Sequence, residues 1–226
     1  GLIEERIKNP VKFVQAKRNI FLTDVELTNL LRVVDCKLKE KQLWFKVYVH
    51  LQLNTFARVG ELLALNWEDI DFENKTIAIN KQVDMYSLKL APTKNNRIHN
   101  ALPLNDDMIK LLRQYKIQCG FCRIVFPTAH YFSAGKDSKN KKKINAPRMK
   151  RNGVHAMLKK SALLAGIDAS RLSSHILRKT AGDRLLRSGM TVHQVAHALR
   201  IDAKTVLWTY STLDESAFDA KLKDFV

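Results

Sequence analysis

Apolar residues recur at helical spacing through most of this 226-residue chain. Thr23-Asp24-Val25-Glu26 has the form of a capping box, and Leu27, Leu30, Leu31 and Val34 follow at steps of one to four, which predicts an amphipathic first helix. Over residues 43–57 the apolar positions crowd together, with Trp44, Phe45, Val47, Val49, Leu51 and Leu53, so the helix expected there is largely buried. A short helix follows from Arg58 and ends at Asn66-Trp67. The period then changes. Residues 69–71, 76–80 and 98–104 carry β-branched side chains and are bounded by turn formers such as Glu73-Asn74, which predicts three antiparallel strands. Helical spacing returns with Asp106 as a cap and Met108, Leu111, Leu112 and Tyr115 on one face. Further helices are predicted over 152–165, stopped by Gly166, over 174–188, stopped by Gly189, and over 191–199. Asp202 is expected to cap a short helix reaching Trp208, and residues 216–225 to form a last one. There is no internal repeat. The expected class is α+β, predominantly helical, with a small three-stranded antiparallel sheet.

Composition narrows the classes. With 46% hydrophobic and 27% charged residues the chain has the make-up of a folded soluble protein, which excludes a disordered polycation. No apolar run reaches the roughly 18 residues of a membrane span, and no secretory pattern opens the sequence, so the cytoplasm is the expected compartment. Lys and Arg number 39 against 22 Asp and Glu, a net charge of +17. On a folded chain with pI near 9.9 this predicts a polyanionic partner, either nucleic acid or an acidic membrane surface. Residues 132–150 concentrate Lys136, Lys139, Lys141, Lys142, Lys143, Arg148 and Lys150 and read as a basic loop, either solvated or in contact with DNA. Residues 1–19 are polar and basic, broken at Asn9-Pro10, and read as a linker; the chain starts at Gly1, so a preceding segment is expected. Cys36, Cys119 and Cys122 are expected to be reduced. Cys119 and Cys122 form a lone Cys-x-x-Cys pair, with only His130 and His155 as further metal ligands, so two buried small side chains are expected rather than zinc.

Four islands carry residues suited to phosphate chemistry. The first is Thr55-Phe56-Ala57-Arg58-Val59-Gly60-Glu61-Leu62-Leu63-Ala64-Leu65-Asn66-Trp67-Glu68-Asp69-Ile70-Asp71. The second is Pro92-Thr93-Lys94-Asn95-Asn96-Arg97, leading into Leu102-Pro103-Leu104. The third is His175-Ile176-Leu177-Arg178-Lys179-Thr180-Ala181, and the fourth is Trp208-Thr209-Tyr210-Ser211. In this order, across nearly the whole chain, they resemble the catalytic domain of the tyrosine recombinases, the phage-integrase family of site-specific DNA recombinases.

The resemblance implies a recombinase catalytic domain over 20–226, with 1–19 as the linker from a helical core-binding domain. It implies cleavage and rejoining of duplex DNA through a 3′-phosphotyrosyl intermediate, with no cofactor and no metal. Such a reaction builds negative charge on the non-bridging phosphate oxygens, which preorganised cations must meet. Arg58 and Arg178 would form that clamp, since a guanidinium donates parallel hydrogen bonds and stays charged. Tyr210, with an unperturbed pKa near ~10, would be the nucleophile, and His175, one turn before Arg178, its base or a phosphate donor. Lys94 would protonate the leaving 5′ oxygen, and Glu61 would orient Arg58.

Two positions depart from the family's pattern. Ile201 stands where the family keeps a His or Trp, and Lys179 replaces a commoner His. Isoleucine cannot donate a hydrogen bond, and losing one such donor typically costs about 10² to 10³ in rate. His197, Trp208 and Arg200, the last in the usual glycine position, are the candidates to compensate. Family members act as homotetramers on paired DNA sites, with C-terminal segments docked on neighbours. Phe218, Leu222 and Phe225 would form that docking face, and a monomer is compatible in the absence of DNA. The implied setting is the cytoplasm of a bacterial or phage host, with no membrane partner, and the implied roles are integration, excision or resolution of DNA elements. Two other classes remain open. Residues 191–206 have the spacing of a helix-turn-helix, as in a non-catalytic DNA-binding regulator, although this leaves Arg58, Lys94, His175 and Tyr210 unexplained. A type IB topoisomerase would share the tyrosine chemistry.

Overall fold

The computed structural model describes residues 21–39, 42–84, 87–93, 98–128 and 147–210. In chain order the elements are α1 (Asp24–Cys36), α2 (Leu43–Thr55), α3 (Val59–Ala64), β1 (Ile70–Asp71), β2 (Thr76–Ile79), β3 (Lys81–Val83), β4 (Leu90–Pro92), β5 (His99–Pro103), α4 (Asp106–Cys119), α5 (Arg151–Leu164), α6 (Ser174–Arg187), α7 (Val192–Leu199) and α8 (Ala203–Tyr210). α2 is the axis of the fold. Trp44, Phe45, Val47, Tyr48, Val49 and Leu51 are buried on all sides of it, because α1, α3, α4 and α6 pack around it. The α1 capping box forms as expected: Thr23 Oγ1 accepts the Glu26 N–H at 3.1 Å, and the Glu26 carboxylate accepts the Thr23 N–H at 2.8 Å.

The predicted three-stranded sheet is present in the order β1-β2-β5, all antiparallel, with Ile70 opposite Ile77 and Ile77 opposite Leu102. A second, two-stranded ribbon pairs β3 with β4, Lys81 opposite Pro92 and Val83 opposite Leu90. It escapes sequence patterning because each strand is three residues long and Val83 is its one buried apolar side chain. The ribbon packs against α3 and leads to buried Thr93, the residue before Lys94.

Most helix ends fall within one or two residues of expectation. α2 stops at Thr55 because Phe56 turns left-handed at φ 54°. α8 extends past Trp208 to Tyr210. Among the described residues no helix is long and apolar enough to cross a membrane. The expected helix at 216–225, and the basic segment as far as residue 146, lie outside the described residues.

Two apolar clusters divide the interior. The larger joins α1 to α5, the sheet and Leu177 of α6, and includes buried Cys119 and Cys122. The smaller holds Val195, Ala196, Leu199, Val206 and Tyr210, flanked by Phe21, Phe56, Leu185 and Ile201.

Candidate active site

Two segments distant in sequence meet at Glu61. Arg58 is the extended residue before α3, and Glu61, three positions on, folds back so that its carboxylate accepts the Arg58 backbone N–H at 2.8 Å and Nη1 at 3.1 Å. Glu61 is wholly buried, whereas the Arg58 side chain keeps 32% of its surface open. The other carboxylate contact comes from Arg200, whose Nη2 donates to Oε2 at 2.6 Å. Arg200 ends α7 in the left-handed conformation, φ 52° and ψ 49°, which an L-residue with a Cβ adopts at a cost of about 1–2 kcal/mol. That turn sends its side chain inward.

Arg178, on α6, completes a closed circuit. Its Nη1 donates to the Phe56 carbonyl, exposed by the left-handed end of α2, and its Nη2 donates to the carbonyl of Leu199, the residue before Arg200. The path Arg58, Glu61, Arg200, Leu199, Arg178, Phe56 thus returns to its start through hydrogen bonds and short chain links. α6 is itself set on α2 by Ser174, whose Oγ lies 2.7 Å from Tyr48 Oη and accepts from Gln52 Nε2 at 2.6 Å. Burial, and then the Arg58 charge, push the Arg178 guanidinium down to about 9, so it stays cationic at neutral pH. Burial also lowers Arg200, with Glu61 opposing and Arg58 adding to the shift. Two of these cations bond the Glu61 carboxylate, and the third, Arg178, feels its charge.

His175 lies one turn before Arg178, with its ring exposed. Partial desolvation, then the charges of Lys179, Arg178, Arg58 and Arg151, hold its imidazole below the usual histidine range, which leaves it neutral and able to accept a proton near pH 7.

Tyr210 is 5% exposed and faces α6. Its hydroxyl donates to the Lys179 carbonyl at 3.3 Å, and its ring stacks on Phe21 with centroids 5.2 Å apart and planes 7° from parallel. Phe21 is placed by its neighbour, since the Leu22 N–H donates to Thr180 Oγ1 at 2.9 Å. Gly182 makes room for the hydroxyl: a Cβ there would collide with Tyr210 Oη and crowd Leu199 Cδ1. Burial raises the phenol to about 12, with Arg178 opposing and Asp183 adding to the rise. Asp183 is itself buried with Oδ1 unpartnered, and burial raises its carboxyl, although Arg187 Nε pairs with it at 2.9 Å.

The structure thus gathers Arg58, Glu61, Arg178, Arg200 and His175, with Tyr210 close behind α6. Ile201 is half-buried on the smaller apolar cluster, His197 is exposed on α7, and Trp208 is 84% exposed on α8. Lys150 is exposed just before α5. Arg148, expected in the basic loop, is instead committed to the fold: Nη1 donates to the Leu63 and Leu65 carbonyls at 3.0 and 3.1 Å, and Nη2 to Asn66 Oδ1 at 2.6 Å. Lys94, Lys136, Lys139, Lys141, Lys142 and Lys143 lie outside the described residues. Phe21, Gly182, Ser174 and Gln52 were not anticipated from sequence. Of these only Gly182 carried a signal, a glycine inside a helical pattern. Among the described residues no group of three or more His, Cys, Asp or Glu is placed to hold a metal ion. Burial pushes the Cys119 thiol up to about 12, so it behaves as an inert apolar group.

The comparisons with known proteins agree on one fold. The model for "Phage integrase family" matches residues 21–215. No curated protein matches. The Tn1549 transposon integrase in complex with a circular intermediate DNA superposes with a TM-score of 0.68 at 14% identity, covering 87% of this chain and 62% of that one. XerA recombinase superposes at 0.60 with 19% identity, covering 96% and 68%. The post-cleavage complex of XerH site-specific recombinase with a palindromic difH substrate gives 0.63 at 17% identity, covering 89% and 52%. This chain therefore spans between about half and two thirds of the length of those structures.

Proposed function

Because this chain belongs to the phage integrase family, we propose that it is the catalytic part of a site-specific DNA recombinase that cleaves and rejoins duplex DNA through Tyr210. The observation that carries this assignment is the closed circuit that holds Arg58 and Arg178 on one buried scaffold beside the tyrosine helix. Fixed cations in a dry setting stabilise developing phosphate charge far better than solvated ones.

In the proposed reaction the scissile phosphate docks on Arg58 and Arg178. Tyr210 Oη attacks phosphorus, its proton passes to neutral His175, the new phosphotyrosyl bond forms and the bond to the 5′ oxygen breaks. The departing oxygen takes a proton from Lys94. Attack by a 5′ hydroxyl reverses each step and rejoins the strand, so the bond energy is conserved. Tyr210 first has to leave its seat, because its hydroxyl is engaged with the Lys179 carbonyl.

Lys150 and the lysines of residues 136–143 would neutralise flanking phosphates, which makes binding fall steeply with salt. A tetramer on paired sites and a preceding DNA-gripping domain belong to the same proposal. One observation favours a plain DNA-binding regulator: α7 and α8 do form a packed helix pair around a tight turn. The deciding experiment selects duplexes from a random pool by affinity, nicks them near each phosphate in turn, and looks for a denaturant-stable protein–DNA adduct. Wild type is expected to form one and Tyr210→Phe none. Shifted DNA without any adduct rejects catalysis in favour of the regulator, and relaxation of plasmids without strand exchange points to a topoisomerase.

A further inference from the structure

Arg200 has more donors than the circuit uses. Its side chain is 2% exposed, and its Nη2 is bound to Glu61, but Nε and Nη1 are sealed from solvent and have no partner. Arg58 and Arg200 sit on the two oxygens of the same carboxylate, so the two guanidiniums are neighbours. Arg178 is tied to the carbonyl of Leu199, one residue before Arg200. Three arginines around one glutamate leave this buried cluster with an excess of two positive charges. Buried cations and unpartnered buried N–H groups are both costly, and both costs are removed by one anion. The left-handed backbone at Arg200 adds strain of the kind that persists where it serves a site.

We infer that Arg200 is a third arginine of the phosphate site, pinned by Glu61 through Nη2 and offering its free Nε and Nη1 to a non-bridging oxygen of the scissile phosphate. This rests on the recombinase assignment above and adds a catalytic residue to it. Arg58, with the open side chain, receives the anion first, and Arg200 closes on it from within. The neighbouring Ile201 has no donor and packs on apolar side chains, so Arg200 supplies the hydrogen bond from one position earlier.

The test compares single-turnover adduct formation on a normal duplex with that on a duplex whose scissile phosphate is a methylphosphonate, lacking one charged oxygen. Arg200→Gly relaxes the left-handed backbone but unpairs one buried Glu61 oxygen, so its rates are compared well below its own melting temperature. It is expected to slow cleavage about 10²-fold or more on the normal duplex and less than about tenfold on the methylphosphonate, because the charge it serves is gone. Arg200→Gly combined with Ile201→His, which moves a donor to the next position, is expected to regain at least about tenfold. In uncleavable Tyr210→Phe, the Arg200 Nε–H resonance should move on adding the normal duplex. An Nε–H resonance that stays in place on adding DNA means that Arg200 only props Arg58 through Glu61, and overturns the inference, as do an equal loss on both substrates and an undiminished rate. If the wild-type chain forms no adduct at all, the recombinase assignment falls, and the Nε–H resonance still decides whether Arg200 meets a phosphate.

Discussion

Arg178 is held by two backbone carbonyls drawn from different segments of the chain, whereas Tyr210, bonded to the residue next to Arg178, is held by a single 3.3 Å hydrogen bond and by apolar packing. The cationic half of the site is built into buried polar networks anchored on α2, so its geometry is present before any ligand arrives. The half that holds Tyr210, the proposed nucleophile, rests on a small cluster at the end of an eight-residue helix, with its hydroxyl turned to a carbonyl. The difference suits the two tasks of the proposed reaction. Cations stabilise a transition state best when they do not have to reorganise, while an unguarded nucleophile would attack wherever DNA touched it.

The strongest way to break this comparison is Arg178→Ala. It strips a buried and a part-buried carbonyl of a charged donor, so a loss of about 3–5 kcal/mol in urea unfolding is expected together with loss of the adduct. A loss below about 1 kcal/mol means the circuit does not hold the fold. Gly182→Ala comes next. The new methyl must displace the tyrosine hydroxyl, at an expected cost of about 1–3 kcal/mol, and tyrosine ionisation followed by ultraviolet absorbance should fall from about 12 towards the ordinary ~10 as the phenol meets water. An unchanged titration would falsify the proposed fit between Gly182 and Tyr210. Tyr210→Phe should abolish the adduct yet change stability by less than about 1 kcal/mol, since one weak hydrogen bond is lost and the ring stack on Phe21 remains. The smallest effect concerns pH. His175 works as a base only when neutral, and its surroundings lower its pKa, so the acid limb of single-turnover cleavage should have its midpoint below the unperturbed ~6.5. A midpoint above that value removes His175 as the base.

The helices and the three-stranded sheet could be read from the sequence because most bury one periodic face, and α2, buried all round, is a dense apolar run. Arg58, His175, Arg178 and Tyr210 could be read because their spacing sits on recognisable islands. The Glu61–Arg200 pair could not, since it joins residues far apart in the chain and depends on a left-handed turn that a non-glycine residue does not announce. The tyrosine's seat was equally hidden: it needs Phe21, held in place by Thr180, and the missing Cβ of Gly182. The β3-β4 ribbon lacked enough buried positions to show a period. The misplacement of Arg148 has a similar cause, because a basic composition cannot tell an arginine facing solvent from one wrapped around backbone carbonyls.

The separation of the two apolar clusters has a thermodynamic consequence. A protein opens in parts, and a part detaches cheaply when its apolar contacts are few and mostly its own. The cluster of Val195, Ala196, Leu199, Val206 and Tyr210 meets that description, while α2 belongs wholly to the larger one. Amide hydrogens of α8, which unlike α7 has no link to the arginine circuit, should therefore exchange with solvent through local openings well below the free energy of global unfolding, and those of α2 only when the whole chain unfolds. Release of Tyr210 for the proposed attack would then need no dedicated hinge, because it coincides with the least costly excursion of the native state.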